Sequence, residues 1–426
     1  MKQILSRLLV FLMISTAFIT EMNAQLTINA QYRNRFEIRD GYKAIVEAGT
    51  GPAVLISQRT RLTLQYENEF LKLRFTPQDI RLWGDEDLAT STGVFGNYAS
   101  LDLFEGYIEI RPIKPLWLSI GRQQLIYDNQ RLLSARNWNQ AGIAYDAMVA
   151  KLQLNGWNVH LAGSWNTLLE SLINNIYPSS RIKSLNYLWV NKKLNEGLCL
   201  SLLHIASGKT ETDSTNKIHF RQTSGLYIKY AINKFSIWGN AYYQYGRNNG
   251  SNKVSAYLID ADAGYKLGKF RPGLGISYLS GNNTVGADQT VDRLFDVLYG
   301  ARHKYFGYMD YFRDFPNNTR EGGLADLYFY LEYQVCPTLI IRNIGHYFWL
   351  ARTNPNTPAD KNLGYENDLI LKYTFRSWGA LESGYAFIAP TQSLKELNGI
   401  DSEKFPQFFY LQLTITPSLF THQSGN

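Results

Sequence analysis

From Leu26 to Arg39 the residues alternate. Leu26, Ile28, Ala30, Tyr32, Phe36 and Ile38 hold most of the even places, and Thr27, Asn29, Gln31, Arg33, Arg35, Glu37 and Arg39 hold the odd ones. Successive strand side chains point to opposite faces, so the stretch predicts a β-strand with one apolar face and one face bearing three guanidiniums. The pattern returns along the chain. Arg59, Arg61, Gln65 and Glu67 oppose Leu62, Leu64 and Tyr66; Lys72, Arg74 and Thr76 oppose Leu71, Leu73 and Phe75. Glu105, Tyr107, Glu109 and Arg111 oppose Phe104, Ile108 and Ile110; Asp260 and Asp262 oppose Ile259, Ala261 and Ala263. Near the end, Phe409, Leu411, Leu413 and Ile415 oppose Tyr410, Gln412 and Thr414.

The links between these stretches alternate in length. Short turns fall near Asn68, 112–115, 155–156, 192–196, Asn233, Gly268, 335–337 and 377–379. Long polar links fall at 40–55, 84–100, 128–142, 167–183, 208–216, 247–252, 281–323, 353–362 and 391–404. This rhythm predicts an all-β fold: one transmembrane antiparallel barrel of about eighteen strands, with periplasmic turns, long extracellular loops and both termini periplasmic. A soluble sandwich or propeller would share the alternation, but nothing in those folds requires loop lengths to alternate. In hydrocarbon every backbone amide needs a partner, so the strands must close and Leu26–Arg39 is expected to pair with Phe408–Thr416.

Facing follows from cost. An arginine on the lipid side at mid-bilayer costs about 2–4 kcal/mol. Arg33 and Arg35 sit mid-strand, so their face is the lumen, and the same reasoning turns Arg59, Arg61, Arg74, Glu105, Glu109, Asp260 and Asp262 inward. Eighteen strands enclose more space than wall side chains fill, which leaves an aqueous channel unless loops plug it. Arg33, Arg35, Arg59 and Arg61, four guanidiniums on two adjacent strands, outnumber Glu37 and Glu67, and unpaired guanidiniums attract carboxylates. Glu105 and Glu109 are expected on the opposing wall, keeping the binding weak enough for release.

Composition fits this picture. Aromatic residues make up 14%, with 29 Tyr and 22 Phe, as girdles at two membrane interfaces require. The net charge of +7 comes without a basic run, which argues against nucleic acid. Residues 1–24 read as a signal peptide: Lys2 and Arg7, an apolar stretch from Leu8 to Ile19, then Asn23-Ala24. The barrel would occupy 25–426, in the outer membrane of a double-membraned bacterium and in contact with its lipid. Cys199 and Cys336 fall about five strands apart, or roughly 24 Å at ~4.8 Å each, too far for a disulfide.

Catalysis finds little footing. No G-x-S-x-G or H-E-x-x-H occurs, and the six histidines are scattered. His303 lies in the longest loop beside Arg302 and Lys304 and reads as a packing or ligand-side group. Asp310 and Asp314 in that loop could hold Ca²⁺ with nearby carbonyls, although their spacing matches no calcium motif. No catalytic residue, resident metal or other cofactor is expected; an enzyme would need a His, Ser or carboxylate cluster at one rim, and a loop-borne adhesin is a separate minor reading.

Specific words then stand out: QRTRL (58–62), QDIRLWG (78–84), GRQQLIYDNQRLL (121–133), the run from Trp138 to Ala147, the segment 280–310 and GYENDLILKYTF (364–375). Together these resemble the alginate export family of outer-membrane barrels. The resemblance implies a monomeric eighteen-stranded channel with an electropositive constriction that passes an anionic uronate polysaccharide, and export of that kind implies periplasmic partners. On it, Arg59, Arg61, Arg81, Arg122 and Arg131 are constriction candidates; Arg33, Arg35 and Arg74 join them from the facing argument alone. Barrels of the same fold also serve as uptake or general porins for small or saccharide solutes. The chain departs from the family pattern where Asp128 replaces an expected Gly and Asn282 an expected Asp.

Overall fold

The computed structural model describes residues 24–84, 100–173, 176–286, 289–401 and 404–424. The proposed signal peptide, save Ala24, and most of the link after β3 lie outside the described residues. The first nine strands are β1 (Ala24–Asp40), β2 (Ala53–Glu67), β3 (Leu71–Leu82), β4 (Ser100–Ile113), β5 (Leu116–Gln123), β6 (Tyr145–Leu154), β7 (Trp157–Trp165), β8 (Ser184–Lys193) and β9 (Leu198–Thr210). The rest are β10 (Ile218–Ile232), β11 (Phe235–Gly246), β12 (Ala256–Tyr265), β13 (Phe270–Leu279), β14 (Leu324–Cys336), β15 (Leu339–Trp349), β16 (Asn362–Arg376), β17 (Gly379–Pro390) and β18. The last strand comes in two pieces, Gln407–Ile415 and Ser418–Ser424.

Every barrel strand pairs antiparallel with its sequence neighbours, and β1 pairs with both β2 and β18, closing an eighteen-stranded barrel. Tyr32 faces Ile415, and Asp40 faces Gln407. Pro417 explains the break in β18: it has no N–H for the ladder. Its carbonyl still accepts from Ala30 N at 3.1 Å, so closure survives the interruption. Among the described residues, the eight turns and the long links fall where the alternation places them.

The two faces separate as polarity demands. Arg33, Arg35, Arg59, Glu105, Glu109, Asp260 and Asp262 are buried inside, while Leu73, Phe75, Ile108, Met148, Leu161, Leu274 and Phe329 are exposed outside. Phe104 departs from the alternation. The β3–β4 register slips between Thr76 and Pro77, so residue 104 is extra and both Phe104 and Glu105 are buried.

Two links depart from their polar reading. Residues 124–144 (the inner flap loop) and 280–323 (the long loop) fold into the lumen and join each other. Tyr299 N donates to Leu132 O at 3.1 Å, and Ala301 N to Gln130 O at 3.0 Å. Around that seam lies the apolar core: Leu125, Leu132, Leu133, Phe295, Phe306, Met309 and Phe312 against wall residues Leu185, Tyr187, Ile205, Leu258 and Leu324. The closed wall is too wide to fill itself, so these loops carry the hydrophobic residues that do. Asp128, where the family pattern leads one to expect glycine, has φ +50°. Aspartate tolerates that left-handed backbone better than most residues, and here Trp189 Nε1 and Ser201 Oγ both donate to its Oδ1, the first at 3.0 Å.

Cys199 and Cys336 are both free thiols. Protein unfolded without reductant should therefore titrate two thiols per chain; a count of zero would contradict the strand order.

Candidate functional site

Between the two inward loops and the wall formed by β9 to β15 lie two chambers. The outer one, about 590 Å³, is bounded by the loop ends of β9, β10 and β11, by Asp292 to Tyr299 and by Tyr145. The inner one, about 680 Å³, reaches Lys229, Trp238, Asp262, Arg271, Tyr328 and Arg342 nearer the short turns. Among the described residues, only Arg136 and Arg302 line both chambers.

These two side chains are held from the same point. Arg136 Nη2 donates to Leu298 O at 2.7 Å and Arg302 Nη2 to the same oxygen at 3.4 Å, while Arg302 Nη1 is bound to Arg313 O. The Nε of each is buried with no hydrogen-bond partner. Leu298 itself has φ +48°. Burial, then the neighbouring charge of Arg136, lowers the pKa of Arg302. Two guanidiniums anchored on a neutral carbonyl keep their charge available to an anion.

The chambers differ in charge. The outer one sets Arg136, Lys209, Arg221, Arg247 and Arg302 against Asp292, Asp296, Asp314 and Glu321. Arg221 is already ion-paired with Asp292. The inner one sets Arg136, Lys229, Arg271, Arg302, Lys304, Arg313 and Arg342 against Asp128 and Asp262 alone. Asp262 is occupied by neutral donors, Tyr328 Oη at 3.0 Å and Tyr330 Oη at 3.3 Å. Arg342 stacks over Tyr330, 4.8 Å from the ring centre. Lys304 lines the inner chamber; burial first, then Arg342 and Arg131, lowers its pKa. Aromatic walls and surplus cations suit a flat or ring-shaped solute carrying a carboxylate.

The arginines singled out from sequence take other positions. Arg33, Arg35, Arg59 and Arg61 converge under the flap loop and donate to its oxygens: Arg33 Nη1 to Asn137 O at 2.5 Å, Arg35 Nη1 to Trp138 O at 2.8 Å, Arg59 Nη1 to Gln140 O at 3.1 Å and Arg61 Nη2 to Ala141 O at 3.1 Å. Arg131 lies within that loop and is ion-paired to Asp260 at 2.6 Å, both fully buried. Arg74 pairs with Glu105 at 2.8 Å and Lys151 with Glu109 at 2.5 Å. These carboxylates therefore do not form an opposing wall: β4 lies beside β3, and its register delivers Glu105 to Arg74. Arg81 and Arg122 are outside the lumen. Arg81 shares a face with exposed Phe75 and pairs with Asp79; Arg122 shares a face with exposed Ile120 and pairs with Asp146. Near the rim the cost of an outward charge falls, and each has a carboxylate partner.

Asp310 is surrounded by donors: Tyr42 Oη at 2.5 Å, His303 Nδ1 at 3.0 Å and Arg313 at 3.8 Å. Burial opposes its ionisation, but His303 and then Arg313 and Tyr42 outweigh this and lower its pKa. Asp314 instead accepts from Asn317 Nδ2 at 2.6 Å. The two carboxylates thus face donors separately, and the described residues hold no cluster suited to a metal. His303 packs flat on Trp138, ring centres 3.7 Å apart, and also lines the inner chamber. Sequence reasoning passed over Arg136, Arg302 and Arg342. The available signals were the R-H-K run at 302–304 and the aromatic-rich 299–315 in a link read as polar.

Closed barrel, apolar exterior and charged two-chamber lumen define an outer-membrane β-barrel channel. The chain belongs to the alginate export family, which it matches over residues 24–367. A comparison with curated proteins finds no match. Among solved structures it is similar to Pseudomonas aeruginosa OccK2 (OpdF) in complex with glucuronate, at TM-score 0.63 and 12% identity, covering 93% of this chain and 97% of that one. It is also similar to Pseudomonas aeruginosa OpdK with vanillate, at TM-score 0.61 and 12% identity, covering 93% and 98%. For Acinetobacter baumannii OccAB1 the values are 0.62 and 13%, covering 95% and 98%.

Two outcomes test this geometry. Arg131→Met strands a buried Asp260 and should cost about 3–5 kcal/mol, read as a lower denaturant midpoint in detergent; adding Asp260→Leu should recover part of it. Lys304 should lose its proton below the ordinary lysine range, taking one cation from the inner chamber. Anion preference should then fall on alkaline titration, and Lys304→Met should flatten that fall.

Proposed function

We propose that this protein is an outer-membrane channel that prefers small anionic solutes of the uronate or aromatic-carboxylate kind, which pass between the two chambers beside Arg136 and Arg302. The observation that carries the reading is that, among the described residues, these two side chains alone border both chambers, with seven cations against two carboxylates on the inner side. The glucuronate and vanillate bound to structurally similar barrels are solutes of this charge and size. At an effective dielectric near 20, a guanidinium about 8 Å from a carboxylate contributes ~2 kcal/mol, enough to favour entry while still permitting exit. Arg33, Arg35, Arg59 and Arg61 act here by holding the flap loop, and Arg74 with Glu105 and Lys151 with Glu109 brace the inner wall. Residues 1–24 serve as the cleaved leader and 25–426 as the channel, working as a monomer in outer-membrane lipid.

Passage of an extended uronate polymer, with export and periplasmic partners, is the family's reading. The two inward loops occupy much of the lumen, so the resting geometry favours small solutes. Planar-bilayer recording under a salt gradient tests this. The wild type should show an anion-directed reversal potential that weakens at high salt. Arg136→Ser with Arg302→Ser should reduce that preference and raise conductance, whereas Lys at both positions should retain much of it. A cation-selective wild type, or a reversal potential untouched by the double Ser change, would sink the proposal.

A further inference from the structure

Under the long loop, β14, β15 and β16 bring four ionisable side chains together on the inward face. Asp326, Glu366 and Asp368 are fully buried and His346 nearly so. His346 lies directly opposite Glu366 in register. Its Nδ1 meets both oxygens of Asp326, at 3.0 and 3.1 Å, and its Nε2 is 3.6 Å from Asp368 Oδ2. One imidazole thus faces three carboxylates, and even as a cation it offsets only one of them. The charged and titratable groups around them are Tyr328 on β14, Arg342 on β15, His303, Tyr308, Asp310 and Tyr311 on the long loop, and the Arg131–Asp260 pair beyond Asp326. β17 sets only Ile388 and Ala386 in register with Glu366 and Asp368.

Glu366 and Asp368 hydrogen-bond to each other. An ionised carboxylate only accepts, so one of the two carries a proton. Their other oxygens hold the loop. Met309 N donates to Glu366 Oε1 at 2.8 Å, and Tyr308 N donates to Asp368 Oδ2 at 3.2 Å. The two oxygens left over, Glu366 Oε2 and Asp368 Oδ1, are buried and meet no other donor among the described residues, which leaves them for that proton. Gly307 brings the backbone down onto the pair. It has φ +77°, and a Cβ there would lie 2.1 Å from Glu366 Oε1.

We propose that Glu366 and Asp368 are the positioning residues of the inner chamber's loop wall, and that the proton they share is its latch. Gly307, Tyr308 and His346 line that chamber. The loop is tied on both sides of the seat: Lys304 Nζ donates to Asn129 O at 3.0 Å, and Asp310 is held by Tyr42 and His303. Loss of the seat therefore frees 307–309 between these ties and leaves the rest of the loop in place. The sign follows from the proton count. Seated, the pair binds one proton; once the segment lifts and water enters, both carboxylates ionise and bind none. Seating therefore weakens as pH rises. Loss of the imidazole proton strips the one cation from among three carboxylates and acts in the same direction, so the group titrates as a unit. The segment is seated at neutral pH and released on the alkaline side, where the inner chamber widens.

Hydrogen exchange on the whole barrel in detergent tests this, with the protection of each amide taken relative to its intrinsic rate at each pH. In the wild type, protection of Tyr308 and Met309 should fall several-fold from neutral to alkaline pH, while Tyr299, which donates to Leu132 O, keeps its own. Single-channel conductance should rise over the same range. Glu366→Gln should hold both level, because a carboxamide donates to Asp368 and accepts from Met309 without titrating. Lys304→Met removes a different alkaline-titrating group and should leave the fall in protection intact. Wild-type protection that ignores pH, a Glu366→Gln barrel that loses protection as steeply, or a conductance that stays flat while protection falls overturns the proposal. Should Glu366→Gln fail to assemble, seen as lost heat-dependent gel migration, Lys304→Met decides: a fall that vanishes with Lys304 overturns the proposal, and one that persists supports it. Reversal potential on the same preparation bears on the anion-channel reading alone, so the two stand or fall separately.

Discussion

The backbone's need for hydrogen-bond partners in hydrocarbon governs the rest of this molecule. A spanning sheet with a free edge would leave amides unsatisfied at several kcal/mol each, so β1 must find β18. Even Pro417, which cannot donate, is accommodated by a break rather than an opening, with its carbonyl still bound by Ala30 N. Closure with eighteen strands then sets the width, and width creates the next problem. The lumen is too broad for wall side chains to fill, and too polar along β1 to β4 to collapse.

Two loops solve it in different ways. Along β6 to β9 and β12 the wall presents Val149, Leu185, Tyr187, Ile205 and Leu258, and the loops meet it with Leu132, Leu133 and Phe295. Along β1 and β2 the wall presents arginines, and the flap meets them with carbonyls. The seam between the loops then places Arg136 and Arg302 on the one carbonyl of Leu298. The boundary between the chambers is therefore set by loop residues, and the inner chamber draws its cations from both sources, Lys229, Arg271 and Arg342 on the wall and Arg136, Arg302, Lys304 and Arg313 on the loops. A scaffold that leaves selectivity to inserted loops can change its solute without changing its strands.

The charges divide by their partners. Arg74, Arg81, Arg122 and Arg131 each have a carboxylate, and what they secure is wall, rim or loop. Arg33, Arg59 and Arg61 rest on neutral oxygens, as do Arg136 and Arg302. A guanidinium whose only partners are carbonyls remains a net charge, and such charges shape the field inside the pore.

The sequence alone determined the strands, their facing, the alternation of turns and loops, and the closure of β1 on β18. Period-two patterning and the cost of charge in lipid are local rules, and each strand obeys them by itself. Arg81, expected at the constriction from the family resemblance, instead follows the parity of Phe75 and faces outward. The burial of Phe104 was not legible, because a bulge is a property of two strands in register. The tertiary structure decided what the arginines do. Arg33 and Arg59 read as bare cations until a loop a hundred residues away lays its carbonyls across them, and Arg136 and Arg302 had no visible relation until both reached Leu298. Contacts between loops carry no period, and nothing in the local spacing of 124–144 or 280–323 says that their apolar residues will meet inside a barrel. That meeting depends on the width of the closed wall, which no single stretch of the chain encodes.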